Sequence, residues 1–167
     1  MDQFEKYLNL ALRYLSYRPR SEKELKDYLK KSRGARSGSA RKNIDPEIIE
    51  AVIEKLKEQK FLDDKEFVQW WIEQRTKFKT KGLRLIKLEL LKKGVSKDIV
   101  DDVIKGSEGL VDNDLDRAKK ILEKRIGRYR GLAQRDLYQK LGAFLGRRGF
   151  DWDTIKQAID DTIKKGV

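Results

Sequence analysis

The sequence predicts an all-α protein, an elongated array of three tandem three-helix repeats. Three observations carry that expectation. Apolar residues recur at helical spacing along most of the chain, as at Ile49, Val52, Ile53 and Leu56, the i, i+3, i+4, i+7 stripe of a helix with one buried face. A helix-end signature recurs as Gly94-Val95-Ser96 and Gly149-Phe150-Asp151: a glycine, an apolar residue and a capping residue, each time after a basic last turn. Charged residues make up 41% and apolar residues 38%, a balance that suits narrow buried stripes and long solvated faces. With only two prolines and no convincing apolar–polar alternation, strands are not expected.

The first helix is expected over 3–17, with Phe4, Tyr7, Leu8, Ala11, Leu12 and Leu15 inward and Pro19 ending it. Ser21 with Glu24 reads as a capping box that opens a second helix, whose apolar face is Leu25, Tyr28 and Leu29. Lys30, Lys31 and Arg33 lie where cations complement the helix dipole, and Gly34 is the expected left-handed residue beyond the end. Residues 35–43 (ARSGSARKN) are small, polar and basic and read as a flexible loop. They are not a phosphate loop, since no strand precedes them and no Gly-Lys-Ser/Thr follows. The third helix opens at Asp45-Pro46, a cap followed by proline, with Ile44 placed to staple onto Ile49.

The same start returns at Val95 and Phe150, 51 and then 55 residues further on, which sets the repeat. The second repeat is expected as helices over 64–78, 83–91 and 96–104, with the basic link Lys79-Thr80-Lys81-Gly82 between the first two. The third is expected as helices over 113–126, 134–148 and 151–163, with a link at 127–131. The domains are therefore 1–62, with its loop at 35–43, then 63–109 and 110–167. Phe61, Leu62, Trp70 and Trp71 are expected as the packing between the first two repeats.

Charge is unevenly placed. The 40 Lys and Arg exceed the 28 Asp and Glu by 12, yet the third helix of every repeat is acidic: residues 45–58, 96–105 and 151–161 together hold twelve acids and five bases. A helix-turn-helix reader of the major groove needs donors on that helix, whereas this one would bring Glu50, Glu54, Asp101, Asp102, Asp160 and Asp161 to the phosphates. The positive charge gathers at the other junctions. Arg75, Lys77, Lys79, Lys81, Arg84 and Lys87 surround the first link of repeat two; Lys124, Arg125, Arg128, Arg130 and Arg135 occupy the same place in repeat three, and Arg147 and Arg148 end its second helix. Arg13, Arg18, Arg20 and Lys23 are their counterparts in repeat one. These residues are the candidate binding surface for nucleic acid or another acidic partner. Tyr14, Tyr17, Phe78 and Tyr129 flank them, while Phe67, Trp70 and Trp71 have core spacing.

No catalytic constellation is present. The chain has no His and no Cys, hence no imidazole base, no thiolate metal site and no disulfide. Asp63, Asp64 and Glu66 read as capping and dipole chemistry rather than a metal site. No metal, cofactor or enzymatic activity is expected. The N-terminal MDQFEKYLNLALRYL is neither a signal nor a transit peptide and no apolar run approaches membrane-spanning length, so a soluble, cytoplasmic monomer is expected.

Four segments, ALRYLSYRPRSEKELKDYL (11–29), VIEKLKEQKFLDDKEFVQWWIEQR (52–75), KLELLKKGVSKDIVDDVI (87–104) and KLGAFLGRRGFDW (140–152), resemble the RecX family of recombination regulators. The most specific parts are Arg20-Ser21-x-x-Glu24-Leu25 and Phe61-Leu62-Asp63-Asp64-x-x-Phe67. The resemblance implies three tandem three-helix repeats and a partner, the bacterial RecA recombinase, bound along the groove of its filament on single-stranded DNA. It implies inhibition of ATP hydrolysis, strand exchange or filament growth, in DNA repair, homologous recombination and the SOS response, and for some members binding to DNA. It fixes no contact residues, so the candidates remain those of the charge clusters. The alternative from charge alone is a basic helical-repeat DNA-binding module without recombinase specificity, or an adaptor for an acidic protein.

Overall fold

The computed structural model describes residues 2–32, 45–78, 80–107 and 114–165. Among these there are nine α-helices and no strand: α1 (Gln3–Leu15), α2 (Glu22–Lys31), α3 (Pro46–Glu58), α4 (Asp64–Lys77), α5 (Leu83–Lys92), α6 (Lys97–Lys105), α7 (Asp114–Glu123), α8 (Gln134–Arg147) and α9 (Trp152–Lys164). The expected boundaries hold to within about three residues. One difference is that the link before α8 winds into a 3-10 turn, Ile126–Tyr129. Gly34, the 35–43 loop, Ile44 and Lys79 lie outside the described residues.

The helix ends follow from their residues. Ser21 and Glu24 form the reciprocal capping box, Asp45 accepts from the amide of Glu47 at 3.0 Å, and Asp151 accepts from that of Thr154 at 2.9 Å. α3, α5 and α8 end in the same paired turn, in which two amides reach back to the last carbonyls: Lys60 to Lys57 and Phe61 to Leu56, Gly94 to Leu91 and Val95 to Leu90, Gly149 to Gly146 and Phe150 to Leu145. The left-handed residue is glycine in two of the three (φ +82° at Gly94, +85° at Gly149) and Lys60 in the third, at φ +57°.

The chain forms two compact units. The first holds residues 1–70 and 90–103, the second 71–89 and 104–167. In the first, α1 packs on α2 and α3 around Ala11, Leu25, Leu29, Val52, Ile53 and Leu56. In the second, α9 packs on α7 and α8 around Ala118, Leu122, Leu141, Leu145, Phe150 and Ile159. The buried side chains of the middle three helices and the turn at Val95 are divided: Phe67, Val68, Leu90, Val95, Val100 and Val103 belong to the first unit, and Trp71, Ile72 and Ile86 to the second.

Phe61 corrects the expectation made for it. It is 58% exposed, because the turn at Gln59 and Lys60 turns it outward while Leu62, one residue on, enters the core at 4%. Trp71 is buried and Trp70 half-buried, with Phe67 fully enclosed.

Candidate interface

Of the formal +12, the second unit carries 21 Lys and Arg against 12 Asp and Glu, a net +9. All the described candidates named from repeats two and three lie in that unit. Their surroundings sort them into two kinds.

Some are committed to internal partners. The Glu89 carboxylate, half-buried on α5, receives the Trp71 indole N–H at 3.0 Å, the Arg75 Nε at 2.8 Å and the Lys81 ammonium. The Arg75 guanidinium also lies over the Trp71 ring, 4.1 Å from its centroid. Burial would raise the Glu89 carboxyl, but hydrogen bonds and charge from Lys81 and Arg75 hold it below the ordinary glutamate range. Arg75 and Lys81, read from sequence as surface cations, are therefore half-buried structural ones. Lys77 pairs with Glu73 one turn before it, and Lys87 is half-buried.

The first unit shows the same behaviour. Arg18 bonds Glu24 at 3.1 Å and lies 5.5 Å from the Trp70 centroid, and Arg20 lies 4.1 Å from that of Tyr14, itself stacked on Tyr28. Arg13 and Lys23 are exposed, the Lys23 stem lying against Gly94. A small cavity of about 240 Å³ between Leu15, Pro19, Phe61, Arg18 and Arg20 also carries Asp63 and Glu66, so its charge is mixed. Asp63 and Asp64 cap amides, Asp63 that of Lys65 at 2.7 Å, as capping chemistry requires.

The others face solvent. Arg84, Lys124, Arg128, Arg130, Arg135 and Arg147 are exposed. Arg125 and Arg148 converge on the Phe144 ring, at 4.0 and 4.5 Å from its centroid, and Arg125 Nε donates to the Tyr129 hydroxyl at 3.3 Å. The structure joins the two clusters of the second unit: the Gly82 amide donates to the Arg148 carbonyl at 2.9 Å, and any Cβ on Gly82 would be driven into the backbone of Gly149. Thus the link after α4 meets the end of α8. Exposed aromatics in this unit are Phe78 at 72% and Trp152 at 67%.

The acidic third helices are partly neutralised from within. Lys26 bonds Glu50 at 2.8 Å, Lys65 bonds Asp102 at 2.9 Å and Lys119 bonds Asp161 at 2.7 Å. Sequence reasoning missed Glu89, although it is the lone acid between Lys79 and Lys93, and it missed Arg117, a buried cation at a helical core position paired with Asp114.

Fold and surface together define an all-α helical-repeat array. Its three sets of helices match three models in order: RecX, first three-helix domain, over residues 8–32; RecX, second three-helix domain, over 63–104; and RecX, third three-helix domain, over 112–159. The chain is 33% identical over 157 residues to the regulatory protein RecX of Listeria welshimeri, and 33% over 159 residues to that of Bacillus subtilis, matching 94 and 95% of its own length. It spans 54 and 56% of those relatives, a little over half. The crystal structure of RecX from Lactobacillus salivarius superposes with a TM-score of 0.81 at 27% identity, covering 96% of this chain and 97% of that one. The chain belongs to the RecX family.

Among the described residues no helix is long and apolar enough to cross a membrane, and no group of three or more acids could hold a metal ion.

Proposed function

We propose that this chain is a non-enzymatic modulator of the bacterial RecA recombinase, an inhibitor that acts in the cytoplasm as a single chain on the recombinase filament formed on single-stranded DNA. Membership of a family of regulatory proteins supports the regulatory role. The observation that carries the mode of action is the concentration of net +9 in residues 71–89 and 104–167, with Arg84, Lys124, Arg128, Arg130 and Arg147 exposed there. A cationic surface of this kind docks on a nucleoprotein filament, whose phosphates supply the opposite charge. Bound across neighbouring recombinase subunits, it holds one filament state and opposes ATP turnover, strand exchange or growth.

The repeat boundaries proposed are 1–62, 63–109 and 110–167. They are supported by equivalent hydrogen bonds one repeat apart. The Ser21 hydroxyl, at the start of α2, donates to the Lys93 carbonyl at 2.7 Å, and the Gly82 amide, at the start of α5, donates to that of Arg148.

The test is DNA-dependent ATP hydrolysis and strand exchange by the cognate recombinase with this protein at stoichiometric amounts. Both rates fall if the reading is right; unchanged rates end it. A basic module without recombinase specificity would instead bind bare and recombinase-coated DNA equally.

A further inference from the structure

Two segments carry the family resemblance most specifically, Arg20-Ser21-x-x-Glu24-Leu25 and Phe61-Leu62-Asp63-Asp64-x-x-Phe67. The fold accounts for most of their residues. Ser21 and Glu24 close a capping box, Leu25, Leu62 and Phe67 are core, and Asp63 and Asp64 accept from backbone amides. Arg20 and Phe61 are left over. Phe61 is exposed, and Arg20, stacked on Tyr14, keeps its Nε buried without a hydrogen-bond partner among the described residues. Both side chains line the same cavity of about 240 Å³ in the first unit. Leu15 and Pro19 extend its apolar wall, and Tyr17, exposed, adjoins it in sequence. Arg18 in that cavity is paired with Glu24, whereas Arg20, Asp63 and Glu66 form no ion pair among the described residues. One unpaired cation against two unpaired acids leaves a negative balance, which opposes a phosphate chain. The cavity is also smaller than the about 300–1,000 Å³ of typical small-molecule sites, a size that suits one large side chain.

We infer that this cavity is a protein-docking site. It takes one apolar side chain of a partner segment against Leu15, Pro19 and Phe61, with a lysine or arginine of that segment set against Asp63 and Glu66 and an acceptor oxygen on Arg20. An exposed aromatic beside an arginine is the composition of an interface hot spot. Phe61 offers apolar area for docking to remove from water, and Arg20 offers donors that the fold leaves without a carboxylate. Opposite charges that line one cavity without pairing select a segment bearing both signs over a uniformly acidic or basic one. The partner is the recombinase subunit itself, and for that identity the inference rests on the proposed function. Phosphate neutralisation by the cations of the second unit is blind to what coats the DNA. A contact that tells coated DNA from bare DNA has to be made to protein, and this cavity has the chemistry for it.

The fluorescently labelled full chain is titrated with the cognate recombinase in the absence of DNA, and separately with oligo-dT. Phe61→Ser is expected to weaken recombinase binding at least tenfold (on the order of a hot-spot loss) and to leave oligo-dT binding unchanged. Glu66→Gln removes an exposed acid, so any surface that binds a polyanion would gain affinity; here it is expected to weaken recombinase binding about three- to tenfold. Wild-type recombinase affinity in Phe61→Ser, or unchanged or tighter recombinase binding in Glu66→Gln, overturns the site. Phe61→p-benzoylphenylalanine should photo-crosslink to the recombinase, while the same replacement at Gln3, about 18 Å along α1 from Leu15, should not. Crosslinks from position 61 to a second copy of this chain alone, or equal crosslinking from both positions, also overturn it. If Phe61→Ser does not fold, Glu66→Gln and the crosslink decide. A wild-type chain that inhibits the recombinase with all variants unchanged ends this site and leaves the proposed function standing; a wild-type chain that neither binds nor inhibits it ends both.

Discussion

Asp64, the first residue of α4, accepts a hydrogen bond at 2.9 Å from the backbone amide of Glu22, the first residue of α2. One repeat on, Asp114, the first residue of α7, does the same at 3.0 Å for Leu83, the first residue of α5. An aspartate that opens the first helix of one repeat thus satisfies an orphan amide of the second helix of the repeat before it. Burial, the leading cause, raises both carboxyls above the ordinary aspartate range, against the lowering effect of the accepted hydrogen bond.

Asp64→Ala should cost about 1–2 kcal/mol at neutral pH, the loss of a helix cap, and Asp114→Ala at least as much. Asparagine keeps the accepting oxygen without a charge to desolvate. Because the folded carboxyl titrates above its unfolded value, its contribution is most favourable below the unfolded value and is lost as pH rises through the folded one. Asp64→Asn should therefore be close to neutral or stabilising at pH 7 and lose that advantage on acidification. Urea unfolding of the three proteins at pH 7 and pH 4 checks both statements.

Glu89 predicts the opposite pH dependence. Its carboxyl is lowered, so the stability it contributes is present above its unfolded value and is lost as pH falls through the folded one. Glu89→Ala leaves Arg75 and Lys81 without their carboxylate in a half-buried setting, at a cost of about 1–3 kcal/mol near pH 7. The gap between variant and wild type should narrow in acid, below the ordinary glutamate range. A gap that stays constant from pH 7 to pH 3 would show that the ion pairs contribute nothing.

Trp71 bears on the same cluster from the apolar side. It is 8% exposed, donates its indole N–H to Glu89 and carries the Arg75 guanidinium on its face. Trp71→Ala should cost about 3–5 kcal/mol in chemical denaturation, as expected for an enclosed aromatic. A loss below about 1 kcal/mol would place that ring in solvent.

Gly149 and Lys60 occupy the same left-handed position at two helix ends, and they should respond in opposite directions. At Gly149 a side chain is strained by φ and would also be driven into Leu85, so Gly149→Ala should cost about 1–3 kcal/mol or more. Lys60→Gly removes the strain of a left-handed lysine and should raise stability by a few tenths to about 1 kcal/mol. Thermal melts of the two variants test the pair.

These helix ends show what a sequence makes readable. The capping box at Ser21 and Glu24, and the turns at Gly94 and Gly149, depend on residues within a few positions of each other, and they form as expected. The partners of Asp64 and Asp114 lie 42 and 31 residues away, so only packing reveals them. The exposure of Phe61 turns on which of two adjacent apolar residues the Lys60 turn directs inward. Charge clustering found the cations of the candidate surface but could not separate Arg75 and Lys81, which the fold ties to Glu89, from Arg84 and Arg147, which it leaves in solvent.

That separation decides where to test the surface. Reversing Arg75 and Lys81 to Glu would set two further carboxylates against Glu89 and unfold the region before reporting on a partner. Arg84, Arg128, Arg130 and Arg147 are exposed, and surface changes of this kind are ordinarily within about 0.5 kcal/mol each. Changing all four to Glu should leave the helical circular dichroism intact. It should raise the concentration needed to halve recombinase ATP hydrolysis by on the order of tenfold or more, with the difference shrinking as salt is added. Inhibition that is undiminished in the fourfold variant at low salt would remove these arginines from the interface and shift attention to the first unit.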